Sequence, residues 1–179
     1  MAITATDILF KLSKNTGPGN SSAQADPNDS IGGFMSSTQI TDATLHNLFD
    51  VVTGDENAAS DVEYRCFFIH NNHGTLTWES VKVWLFSETA GGASAAIAID
   101  GTGVVSATSA SAQAERVANE STAPSGETFS SPTTKAGGLS VGNIGAGQAV
   151  AIWVRRTAAN TAAVDTDGVI IRAEGDTAA

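Results

Sequence analysis

The chain has 179 residues, enough for one β-sandwich with extended arms and short for two full domains. With 19 acidic against 9 basic residues its net charge is -10, which opposes binding to a phosphate backbone, so direct nucleic-acid recognition is not expected. The one cysteine, Cys66, excludes an intramolecular disulfide and a cysteine zinc site within one chain. No stretch approaches the ~20 apolar residues of a membrane span.

The start, Met1 to Ala5, lacks the basic residues and apolar run of a secretory signal, so assembly in the cytoplasm is expected. Apolar residues make up 41% of the chain but aromatics only 6%. Much of the apolar content is alanine, which predicts a modest core. Charged residues at 16% fall below the roughly 25% usual for soluble domains. Many Gly, Ser, Thr and Asn in their place favour short strands and frequent turns.

Asp7 to Lys14 is the first predicted strand, with Ile8, Phe10 and Leu12 alternating with Leu9, Lys11 and Ser13. Asn15 to Gly33 concentrates turn and breaker residues. It is expected to be a long loop or arm, ordered by a neighbouring subunit if at all. Residues 1–40 thus form an N-terminal strand and arm, and residues 41–179 the sandwich domain. Thr41 to Val52 is the one predicted helix, since Leu45, Leu48, Phe49 and Val52 recur at spacings of three and four with Asp42 as a cap. Thr53 to Asn57 reads as a turn.

Val62 to His70 is the strongest predicted strand, with Val62, Tyr64, Cys66, Phe68 and His70 on one face and Glu63, Arg65, Phe67 and Ile69 on the other. Asn71 to Gly74 reads as a turn into Trp78, Val81, Val83 and Leu85, so Phe67 to Phe86 is expected to form successive antiparallel strands. Ala96 to Ile99 is a further short strand, while Gly101 to Ala114 carries little packing information and Glu115 to Glu127 is a connection. Leu139 to Gln148 sets apolar residues between glycine turns. Ala149 to Thr157 follows as a strand with Val150, Ile152 and Val154 on a face that Trp153 and Arg155 do not share. Val169 to Glu174 is the last strand, with Ile170 and Arg172 together. Many strands with Gly and Asn turns indicate an all-β, two-layer antiparallel sandwich.

No catalytic or cofactor constellation emerges. His70 and His73 need two further ligands to hold a metal, and Glu79 and Asp61 are ordinary surface residues, so no metal site is assigned. His46 has no acid or nucleophile at a diagnostic spacing. Cys66, among bulky apolar neighbours, is expected to be an inert buried thiol. Asp55, Glu56, Asp61 and Glu63 lack the EF-hand spacing, and so do Asp165 and Asp167. Gly142 to Gly147 is followed by neither a helix nor a Lys-Ser/Thr pair, so its glycines serve turns. Arg155 and Arg156 point to opposite faces of one strand. With Asp55 and Glu56 they are the candidate partner-contact residues. Trp78, Trp84 and Trp153 are expected in the core or an interface, the alternative being a sugar-stacking surface.

Gly54 to Asn57, Asp61 to Cys66 and Val81 to Leu85 resemble segments of small virion structural proteins of tailed bacteriophages. So do Asn119 to Pro124, Phe129, Pro132 to Lys135, Gly147-Gln148, Ile152 to Arg156 and Glu174 to Asp176. The resemblance covers about the last two thirds of the chain and is greatest to capsid decoration (cement) proteins. It implies a non-enzymatic β-sandwich on the outer head surface that bridges copies of the major capsid protein as a homo-oligomer, a trimer suiting a local threefold axis. A tail, baseplate or fibre module is the alternative. The pattern from Asn71 to Leu85, with the later glycine turn before a strand, is also similar to immunoglobulin-like adhesion modules, or to a jelly roll.

Overall fold

Eight strands, whose successive side chains point to opposite faces, build the fold: β1 (Ile8–Lys14), β2 (Phe34–Gln39), β3 (Val62–Asn71), β4 (Trp78–Glu88), β5 (Ser94–Ser106), β6 (Leu139–Ile144), β7 (Gln148–Thr157) and β8 (Val169–Thr177). One short helix, α1 (Gly54–Ala59), precedes β3. The computed structural model describes residues 2–177; Met1, Ala178 and Ala179, which close the two segments read from the sequence, lie outside them. The strands form two antiparallel sheets, one of five in the order β2-β1-β3-β7-β5 and one of three in the order β6-β4-β8. The architecture is the all-β sandwich expected.

β3 and β7 run side by side over ten pairs, from Val62 opposite Thr157 to Asn71 opposite Gln148. Their alternation sorts side chains into two separate cores. Phe67, Ile69, Val150, Ile152 and Val154, with Ile97 of β5, face the three-stranded sheet and meet Trp78, Val81, Val83, Leu85 and Ile144. On the opposite face Cys66, Phe68, Ala149, Ala151 and Trp153, with Ala98 of β5 and Met35 of β2, lie under Ala107, Ala114 and Val117. This second layer is irregular chain from residues 15–33 and 107–130 rather than a sheet.

The covering segments are tied by backbone hydrogen bonds to one another and to the sheet. Gly33 N–H donates to Glu115 O, Val117 N–H to Ile31 O, and Cys66 N–H to Ser30 O. Gly32 makes the closest approach: a Cβ there would stand 1.9 Å from Glu115 O, and its φ of +93° is one glycine adopts freely. The segment 15–33 is therefore ordered by its own chain. β1 and β2, on either side of it, belong to the same sheet as β3.

Two further expectations fail. Thr41 to Val52 is a series of turns, not a helix. Ala43 and His46 take positive φ, while the Asn47 amide donates to Thr41 O, which replaces helical bonding. Leu48 and Phe49 pack on the inter-sheet core, and Leu45 is 63% exposed. The helix is α1 instead, where a turn was expected, and Thr53 and Glu56 cap it reciprocally. That Thr-x-x-Glu capping box is visible in the sequence. Likewise β3 and β4 are not a hairpin but lie in different sheets. The Asn71 amide donates to Leu76 O and Ile144 O, each at 2.9 Å, fastening the crossing between layers.

Candidate interaction surfaces

The four residues singled out from sequence do not converge. Asp55 is exposed on α1, and Glu56, half-buried, is occupied as the capping partner of Thr53. Arg155 and Arg156 do point to opposite faces. Arg155 stacks on Phe129, 5.4 Å from the ring centroid, and its buried Nε has no partner.

Arg156 sits on the inter-sheet face at the strand end, 13% exposed. Its guanidinium grips the Glu63 carboxylate, with Nε donating at 2.7 Å, and also holds Asp50 by its carbonyl and by Oδ1. The Phe49 ring centroid lies 4.8 Å from Arg156 and 5.3 Å from Arg65, so two cations contact one aromatic ring. Arg65, fully buried, donates to Glu120 Oε2 at 2.5 Å and to Asn28 Oδ1 at 3.3 Å. Burial raises the Glu63 carboxyl pKa, and Arg156 opposes that rise. Arg156 therefore fastens the 41–52 segment over the sandwich and is not a free contact.

Burial assigns the remaining candidates too. Trp78, Trp84 and Trp153 are all buried, so none presents a stacking surface. Trp153 Nε1 donates to Asp100 Oδ2 at 2.9 Å inside the second core. His70, near the end of β3, is 3% exposed. Burial, helped by the nearby Lys11 charge, lowers its pKa to about 4. His73 Nδ1 accepts the N–H groups of Thr75 and Leu76. Burial pushes the Cys66 thiol well above its ordinary pKa, as its apolar neighbours imply. Among the described residues no three His, Cys, Asp or Glu side chains group to hold a metal ion.

The surface that sequence reasoning missed is the β8 edge. The outer edge of β2 is covered by residues 20–24, through Asn20 N–H to Met35 O and Ser37 N–H to Ser22 O. That of β5 is bridged by Ser130, which exchanges both backbone bonds with Ile97. β8 pairs with β4 alone, and no other described residue bonds its backbone. The opposite edge of that sheet, β6, spans six residues against nine for β8.

On the outer face beside this edge, Phe86 and Ile170 are 46% and 51% exposed. Arg172 stacks 3.3 Å from the Phe86 ring centroid. An open cleft of about 290 Å³ adjoins the strand, lined by Ile3, Ile8, Phe10, Trp78 and Ala173. The alternation of Ile170 and Arg172 was legible in the sequence, but the missing neighbour was not. No family model matches the chain, and neither a curated protein nor a solved structure does so.

Proposed function

We propose that this chain is a structural assembly protein, specifically a decoration (cement) protein of a tailed-phage head that binds the major capsid protein and stabilises contacts between its subunits. The observation that carries the assembly reading is the nine-residue edge of β8, which the other described residues leave bare, continuous with exposed Phe86 and Ile170. An uncovered edge offers backbone donors and acceptors to an incoming strand, which proteins otherwise cover. The exposed apolar side chains beside it supply area that water leaves on docking. The virion, the head surface and a trimeric state rest on the resemblance of the segments around Asp55, Val81 and Arg156 to small virion proteins.

Copy number in purified particles tests the reading. A number comparable to the major capsid protein supports it, whereas a few copies at one vertex replaces it with the tail or fibre alternative. Ile170→Lys with Phe86→Lys, both on exposed positions, is expected to abolish binding to undecorated heads while leaving the melting temperature close to wild type. Undiminished binding removes the β8 surface from the proposal.

A further inference from the structure

Two lysines of β1 are buried without acidic partners. Lys11 and Lys14 are 7% and 4% exposed, and burying an ammonium group is costly unless it is paired. The ion pairs among the described residues use Arg65, Lys135 and Arg156. Among the described residues neither buried lysine has a carboxylate within 4.0 Å, although acids exceed bases by 19 to 9 in the chain.

Their acceptors are neutral and consecutive. Lys11 Nζ donates to Asn20 Oδ1 at 2.7 Å. Lys14 Nζ donates to Ser21 Oγ at 3.2 Å and to Ser22 Oγ. Both charges therefore arrive at one short stretch, residues 20–22. Asn20 is half-buried and the two serines are exposed, so the stretch opens to solvent.

The stretch is anchored rather than draped. Asn20 N–H donates to Met35 O, Ser37 N–H to Ser22 O, and Gly19 N–H to Ser109 O, all at 2.7–2.9 Å. A Cβ at Gly19 would stand 2.3 Å from the Gln113 amide oxygen. On neighbouring β3, His70 is close enough to Lys11 for the two charges to oppose each other, and its buried Nδ1 has no hydrogen-bond partner.

We propose that Lys11, Lys14 and the Ser22 hydroxyl form a binding site for one tetrahedral oxyanion, a phosphate or sulfate group. An ammonium carries three donors; Lys11 spends one on Asn20 and Lys14 two on the serines, leaving three N–H groups. The Ser21 hydroxyl is committed to Pro18 O, whereas that of Ser22 remains free to donate. Such a donor set matches an oxyanion with several acceptor oxygens better than a chloride ion. It also supplies the countercharge that the fold does not. The site is independent of the β8 edge, and the assembly reading stands or falls without it.

The full chain is titrated with sodium phosphate and with sodium sulfate at constant ionic strength, with chloride as reference, while amide shifts of residues 18–22 and the His70 imidazole shifts are followed by NMR. The expected result is a saturable 1:1 response confined to this region, a rise in melting temperature with ligand, and an upward move of the His70 titration when the anion is bound. Lys14→Met is expected to weaken binding at least about tenfold. Ser22→Ala, at an exposed position that leaves the fold intact, weakens it by a smaller factor and serves if the lysine variant does not fold. O-phosphoserine as a further probe separates the sources: tighter binding than inorganic phosphate indicates a group attached to a partner, and equal binding a free ion. A linear response up to about 50 mM, or affinity unchanged in Ser22→Ala and Lys14→Met, overturns the site and leaves two lysines that reach water by their own length.

Discussion

The two faces of the five-stranded sheet are buried by different means. Facing the smaller sheet, Phe67, Ile69, Val150 and Ile152 meet Val81, Val83 and Leu85, large side chains from two regular layers whose backbones are already hydrogen-bonded. The other face is built from alanines around Trp153 and Phe68. Small side chains let irregular backbone lie close to the sheet, but that backbone then needs partners for its own polar groups. Buried side chains provide them. Gln113 accepts from Met35 N–H and donates to Ser106 O, Ser13 Oγ accepts from Gly32 N–H, and Asp100 accepts from Glu115 N–H, Thr102 N–H and Trp153 Nε1. An alanine-rich composition can thus signal a face covered by loops rather than a thin core.

The largest expected effect tests that contrast directly. Phe67→Ala removes a ring wedged between two sheets and is expected to cost about 3–5 kcal/mol of global stability by urea unfolding. Phe68→Ala, equally buried, is expected to cost less because the covering loops can settle, with faster hydrogen exchange confined to residues 17–33 and 107–117. Equal costs and equal exchange would erase the distinction.

The clasp at the open end comes next. Arg156→Leu strands the 6% exposed Glu63 and is expected to cost about 3 kcal/mol, most of it recovered in the Glu63→Leu, Arg156→Leu double variant. A double variant as unstable as the single one would mean that Phe49 and Asp50, not Glu63, need the arginine.

A pH effect of similar or smaller size resides on the loop-covered face. His70 is neutral in the fold with a pKa near 4 against 6.5 for the free side chain, so the unfolded chain binds the extra proton between those values. Its contribution is intact above pH 6.5 and is lost as pH falls toward 4, amounting to at most about 3 kcal/mol. Glu63, whose pKa is raised, acts in the opposite sense above the ordinary carboxylate range. His70→Gln is expected to flatten the stability profile between pH 4 and 6.5; an unchanged slope would locate the dependence elsewhere.

The smallest change is Asp100→Asn, whose carbonyl oxygen can still accept from Glu115 N–H and Trp153 Nε1 but whose amide group then faces Thr102 N–H, weakening the network by about 1–2 kcal/mol. Exchange should quicken at Glu115 and Thr102 while Val83 and Ile152 stay protected. A uniform quickening would show that the two faces unfold as one unit.

How much was legible follows from where the signal is local. Strict alternation marked β1, β3, β4, β7 and the start of β8, and it set Arg155 opposite Arg156. The Thr53 and Glu56 capping pair of α1 is present in the sequence, but Thr53 to Asn57 reads as a turn when the helix is sought in the leucine spacing next to it. That spacing failed because Leu48 and Phe49 are held by the sandwich core rather than by a helix face. Ala107, Gln113 and Ala114 carry no periodicity, yet they are buried, since what buries them is a segment some eighty residues away in sequence.

The sequence by itself determined the all-β class, the two-faced strands and the absence of a disulfide, because these depend on residue type and a period of two. Which strands became neighbours was decided by the tertiary structure. It sent β3 and β4 to different sheets, drew Arg156 into a clasp, brought two lysines to one rim, and left β8, among the described residues, without a partner on its outer side. Each of these is a relation between residues distant along the chain, and no local pattern encodes which surface will arrive to cover another.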